Sequence, residues 1–226
     1  MATRSPFALG EWYHCYNRGF EKNTVFRSSE EYERFLIYLF VSNSTERLRV
    51  SDIPTTELHT IFSSINSNNP DPIVEVGAYS LMPNHVHFLL KEIRKGGIAS
   101  YMQRVFTGYT MYFNNKHQRT GSLFSGTFKS KHVHDDTYLK QVLTYVLLNP
   151  VELFEPNWKT GVGSIKFISE KLLEYPYSSL IDFMGSDRPQ SKIVQTKWEQ
   201  YYDQTPTLDN MLANAQEYYQ EHSPQV

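Results

Sequence analysis

The stretch that most restricts the fold is IVEVGAYSLMPNHVHFLLKE, residues 73–92. Its two halves, 73–81 and 85–92, are rich in β-branched and apolar residues, and a short turn through Pro83 and Asn84 joins them. That pattern predicts two antiparallel strands lying side by side. Phe88, Leu89 and Leu90 in succession mark the second strand as interior. Yet this strand opens on two histidines. Side chains alternate across a strand, so His85 and His87 share one face, about 7 Å apart along the chain, and Val86 takes the other. Buried rings with polar atoms need partners. Two imidazoles on one face can also converge on a divalent ion.

The remaining chain supplies both strands and helices. EWYHCYNRGF (11–20) reads as an aromatic-rich strand closed by the turn residues Asn17 and Gly19. SSEEYERFLIYLFVSN (28–43) has a serine cap, early glutamates and a helical apolar rhythm. Residues 98–114 place apolar and aromatic residues at three- and four-residue steps, an amphipathic helix. FKSKHVH is a short strand, and Asp136 or Thr137 caps a helix that ends near Asn149 because Pro150 restricts its predecessor. Residues 44–72 are polar and read as a loop or insertion; residues after 165 read as helical decoration. Hairpin and helices together predict an α+β fold, a central antiparallel β-sheet packed against α-helices.

Two histidines leave a metal short of ligands, and the helix 137–149, TYLKQVLTYVLLN, offers candidates. Leu139, Val142, Leu143 and Val146 make its buried stripe. Tyr138, Gln141, Tyr145 and Asn149 make a second stripe, with Tyr145 and Asn149 four apart and adjacent. Asn149 can supply a metal oxygen and Tyr145 a hydroxyl nucleophile. The plainer readings stand beside these: Tyr145 is one of 16 tyrosines, and Asn before Pro commonly ends a helix. A second His-x-His, His132 and His134, lies in a basic connection before Asp135, Asp136 and Thr137, where it can simply face water.

Composition narrows the classes. The chain has 40 % hydrophobic residues and 15 % aromatics, enough for a core. It has no run of about 18 apolar residues, so no membrane span is expected. Its N-terminus lacks the apolar stretch of a secretory signal. A single cysteine, Cys15, excludes an internal disulfide and any zinc site built on several thiolates, and fits a reducing cytoplasm. Net charge is −2, but residues 91–131 carry eight basic side chains against Glu92 alone, and 132–226 carry seven basic against 13 acidic. The basic stretch is interleaved with aromatics, the combination that single-stranded nucleic acid requires. Arg104, Lys116, Arg119, Lys129 and Lys131 are candidate phosphate contacts. Asn17 and Arg18 are further DNA candidates, with a turn role for Asn17 equally open.

Taken together, YHCYNRG…VF, GAYSLMPNHVHFLL, YTMYFNNKHQRTGSLFSGTFKS, YLKQVLTYVLLNPVE and YPYSSL resemble, in this order, the REP-associated tyrosine transposases, a branch of the single-tyrosine HUH (IS200-like) transposases. The resemblance spans residues 11 to about 181. It implies a transposase and nuclease domain over 1–181 with a ferredoxin-like antiparallel sheet, and a C-terminal helical extension over 182–226. It implies His85 and His87 as the metal-binding pair, Asn149 completing the site, and Tyr145 as nucleophile. The implied reaction is cleavage and rejoining of single-stranded DNA through a 5′-phosphotyrosine, assisted by Mg²⁺ or Mn²⁺, at a hairpin-bearing repeat. A monomer is favoured, although related enzymes also act as dimers. One departure stands out: Thr127 occupies a place where relatives usually carry arginine, removing a phosphate or structural contact.

Two other readings compete. A metal-dependent phosphoesterase using both His-x-His pairs and water would form no covalent intermediate. A non-catalytic hairpin-binding module would bind without cutting.

Overall fold

The computed structural model describes residues 6–45, 62, 71–160 and 163–222. Most of the 44–72 stretch, read above as a loop or insertion, falls outside them. Four strands, β1 (Trp12–Arg18), β2 (Glu75–Met82), β3 (His85–Lys91) and β4 (Lys129–Val133), form one sheet in the order β2-β3-β1-β4. Every pairing is antiparallel. The hairpin read from residues 73–92 is β2 and β3, and β3 with β1 makes the centre of the sheet.

Helices cover both faces: α1 (Ser29–Val41), α2 (Gly97–Lys116), α3 (Asp136–Leu148), the short α4 (Val151–Phe154), α5 (Ile165–Glu174), the short α6 (Leu180–Phe183) and α7 (Leu208–His222). Alternation along the strands sorts the side chains into two cores. Tyr13, Cys15, Val86, Phe88 and Leu90 point to one face and pack with the apolar stripes of α1 and α2. Trp12, Ala78, Leu89 and Val133 point to the other, against α3, α5 and α7. No helix among the described residues is long and apolar enough to cross a membrane.

Residues beyond 181 are part of the second core, through Trp198, Leu208, Met211 and Leu212. Trp198 stacks on Trp12, and its indole N–H donates to the Gly77 carbonyl at 3.0 Å. Gly77 sits where the β2–β3 register shifts. A Cβ there would come within 2.8 Å of the Trp12 ring and 2.9 Å of the Trp198 ring. The bulge therefore needs the one residue without a side chain.

One local expectation is corrected. The cap of α3 is neither Asp136 nor Thr137 but Asp135, whose carboxylate accepts from the Tyr138 backbone N–H at 2.7 Å. All three residues have capping chemistry. The one still in extended backbone as the chain leaves β4 does the capping.

Candidate active site

The site is built where side chains of β1 and β3 meet one helix. On β1, His14, Tyr16 and Arg18 alternate onto the face that carries His85 and His87. Tyr16 pairs opposite His87, and Arg18 opposite His85. On the outer side, Lys131 and Lys129 of β4 lie opposite His14 and Tyr16. Helix α3 crosses this face and carries Tyr145 over the imidazoles. The Tyr145 ring stands edge-on to His87, 5.3 Å between centroids, and to His14 at 5.5 Å. Asn149 keeps helical backbone angles in front of Pro150 (φ −52°, ψ −38°), so its side chain continues the Tyr145 stripe.

Each histidine has its Nδ1 side engaged. His85 Nδ1 lies 2.7 Å from Asn84 Oδ1, and His87 Nδ1 lies 2.9 Å from His14 Nε2. An Nδ1–H donated to an acceptor leaves the Nε2 lone pair of each ring free for a metal, the usual outer support of metal-binding histidine. His14 can accept because it is neutral: burial, reinforced by Lys131, lowers its pKa to about 4. Burial also lowers His85, with Arg18 adding to the effect while Asn149 and Glu152 oppose it. His87 falls well below the ordinary imidazole value through burial and then through His14, His85 and Arg18.

Asn149 is 5 % exposed, and among the described residues its Oδ1 has no hydrogen-bond partner. An unsatisfied buried carbonyl oxygen is costly, and this one lies in the wall of a cleft that also exposes His85, His87 and Tyr145. That cleft has a volume of about 530 Å³, and Arg18 and Lys129 stand on it. Among the described residues no three His, Cys, Asp or Glu side chains are grouped to hold a metal. Two neutral imidazoles and one amide oxygen are the donors on offer. The Tyr145 phenol is raised above its ordinary pKa by burial, with Lys159 and the Asn149 amide pulling the other way.

The remaining sequence candidates separate. Arg18, Lys129 and Lys131 surround the site. Arg119 stands at the start of a loop tied to the end of β1, where Phe20 N–H donates to the Leu123 carbonyl and Ser125 N–H to the Arg18 carbonyl. Arg119 itself donates to the Ser122 carbonyl at 3.2 Å. Asn17 is buried; its Oδ1 accepts from the Arg18 N–H and its amide donates to the Gly126 carbonyl. Arg104 and Lys116 lie on α2, on the other side of the sheet, where Arg104 donates to the Ser44 carbonyl and Lys116 pairs with Glu30 at 2.7 Å. Thr127 is exposed. The second His-x-His pair does not join the first: His132 lies opposite Tyr13, on the face away from His14, and pairs with Glu11, while His134 pairs with Asp135. A two-pair metal site is therefore not formed.

Sequence reading missed His14. Its signal was the period-two run His14, Tyr16, Arg18, which becomes informative once β1 is paired with β3.

Comparison with known proteins adds to this geometry. A search of curated proteins gave no match. The family model described as "Transposase IS200 like" matches residues 36–148, half of the chain. The chain belongs to the IS200-like transposase family. The match runs from α1 through α3 and includes His85, His87 and Tyr145. A solved structure of a REP-associated tyrosine transposase bound to a REP hairpin resembles this IS200-like transposase with a TM-score of 0.50 at 12 % identity, over 84 % of this chain and 90 % of that one. At that identity the likeness is one of fold: the antiparallel sheet with flanking helices is shared. Membership gives this IS200-like transposase a DNA-processing role of the transposase type.

Proposed function

We propose that the chain cuts and rejoins single-stranded DNA by transesterification, with Tyr145 as nucleophile, at a hairpin-bearing repeat. The observation that carries the reading is the buried Asn149 oxygen, without a hydrogen-bond partner among the described residues, beside two neutral imidazoles and one helical turn from the phenol. These three side chains fit a divalent cation, and Mn²⁺ or Mg²⁺ would be held by His85, His87 and Asn149. Such an ion, when bound, withdraws charge from the scissile phosphate and stabilises the added negative charge of the transition state.

The chain's own groups do the rest. The Tyr145 oxygen attacks phosphorus in line, forming the O–P bond of a 5′-phosphotyrosine while the bond from phosphorus to the 3′-oxygen breaks. The proton lost by the phenol balances the one gained by the departing 3′-hydroxyl. An ordinary phenol has a pKa of about 10 and is a modest nucleophile at neutral pH. Burial raises Tyr145 further, and the Lys159 ammonium, with the Asn149 amide, opposes the cost of ionising it. Arg18, Lys129 and Lys131 bear on phosphates near the break, and Arg119 on the strand further along. The ester energy is retained in the protein–DNA bond, so a second 3′-hydroxyl reverses the step and joins new ends. A splayed strand reaches in-line geometry more cheaply than a stacked duplex. The likeness in fold to a hairpin-bound transposase supports a hairpin as the target.

The test is incubation of the chain with labelled hairpin oligonucleotides and Mn²⁺, followed by a denaturing gel and mass mapping of the adduct. Cleavage with a DNA-linked peptide containing Tyr145 is expected. Tyr145→Phe abolishes both and leaves hairpin binding, and excess chelator stops cleavage until Mn²⁺ is restored. Binding without scission by the wild-type chain would instead identify a hairpin-binding module.

A further inference from the structure

Tyr145 borders two cavities. Besides the histidine cleft it lines a second, of about 630 Å³, between α3 and α7. The walls of this second cavity are aromatic: Tyr138, Trp158, Tyr202 and Tyr219 all contribute. Each of three lysines on it stands over one of those rings. Lys131 is 5.0 Å from the Tyr138 centroid, Lys140 4.9 Å from Tyr202, and Lys159 4.9 Å from Tyr219. Among the described residues Glu152 is the one acidic side chain lining it, and it is paired with Lys159. Trp158 is 2 % exposed and among the described residues its indole N–H has no acceptor. A buried donor left without a partner is an unmet requirement that a ligand can satisfy.

We propose that this second cavity is a base subsite, which takes one unstacked nucleobase of the substrate strand next to the phosphate attacked by Tyr145. The inference rests on the strand-cutting reading of the histidine cleft. Flat rings give a sequence-tolerant stacking surface, and lysines at the rim meet the phosphates on either side of the base. The volume is that of a small-molecule site. Continuity through Tyr145 is what ties it to the chemistry: Lys129 lines the histidine cleft, Lys131 lines the second cavity, and Tyr145 and Asn149 line both, so a strand laid along β4 passes from one to the other at the phenol. Seating the base there would turn the backbone and fix the phosphate in front of the phenol, much as enzymes that act on bases draw one out of the stack.

The test uses full-length Tyr145→Phe, which holds the strand uncut. Hairpin oligonucleotides carry 2-aminopurine, one position at a time, along the single-stranded arm flanking the hairpin. One position is expected to lose emission on binding, and Ala215→Trp, which fills the cavity from α7, to abolish that loss. Independently of any second variant, an abasic residue at the same position is expected to lower the kcat/KM of the wild-type chain about tenfold, the scale of one lost base–aromatic stack. An abasic residue two positions away has no such effect. Absence of any quenched position overturns the proposal, as does equal cleavage of every abasic strand. Failure of the underlying reading looks different: the wild-type chain then forms no covalent adduct on any strand, while position-dependent quenching still reports the base.

Discussion

His14 shares one hydrogen bond with His87. The two ring nitrogens lie 2.9 Å apart, and with His87 Nδ1 as the donor the lone pair of that ring stands on Nε2. Loss of an outer-shell partner of this kind typically weakens metal affinity 10- to 100-fold. His14→Ala is therefore expected to weaken Mn²⁺ binding by about that factor, measured as free Mn²⁺ by electron paramagnetic resonance, with hairpin binding in chelator unchanged. Unaltered Mn²⁺ affinity would reduce His14 to a packing residue. The contrast with its neighbours explains what could be read in advance. His85 with His87, and Tyr145 with Asn149, are related within one element by fixed periods of two and four, so the linear order already places them on shared faces. His14 meets His87 along a diagonal between strands, and that relation exists only after β1 and β3 choose a register.

At the scale of elements, α3 positions the phenol through the residues on its opposite face. Leu143 is fully buried in the core beneath the sheet, two residues before Tyr145. Leu143→Ala is expected to cost about 2–5 kcal/mol of stability, read from urea unfolding. The rate of adduct formation should also fall in conditions where the variant remains folded, because the helix settles into the void. An unchanged adduct rate would mean that the rest of α3 fixes Tyr145 without this contact. The strands, α1, α2 and α3 were legible because their apolar rhythms are long and bounded by turn or capping residues. The packing of 182–222 was not: its helices are amphipathic, but nothing in their sequence says which face of the sheet receives them. That choice is made by tertiary contacts such as Trp198 on Trp12 over Gly77.

For the whole molecule, the sheet divides labour between its faces. The α3 side holds the cleft, and the α1–α2 side holds a set of aromatic rings whose phenols are locked in the interior. The Tyr101 hydroxyl donates to the Leu39 carbonyl at 2.9 Å and the Tyr109 hydroxyl to the Val25 carbonyl at 2.6 Å. Both are fully buried, and burial raises both far above the ordinary phenol value, as it does Tyr79. In the unfolded chain these groups ionise near pH 10. Their contribution to stability is thus complete below pH 10 and is lost as the pH rises, because only the unfolded state then releases protons. Resistance to urea is expected to decline above pH 10, each such phenol contributing at most about 1.4 kcal/mol per pH unit. Tyr101→Phe separates this effect from ordinary packing. At pH 8 the variant should be less stable than wild type by about 1 kcal/mol, the worth of its hydrogen bond. Above pH 10 the difference should shrink, since the variant no longer has that proton to lose. A gap that stays constant from pH 8 to pH 11 would show that Tyr101 ionises as readily inside the fold as outside it, contrary to its burial.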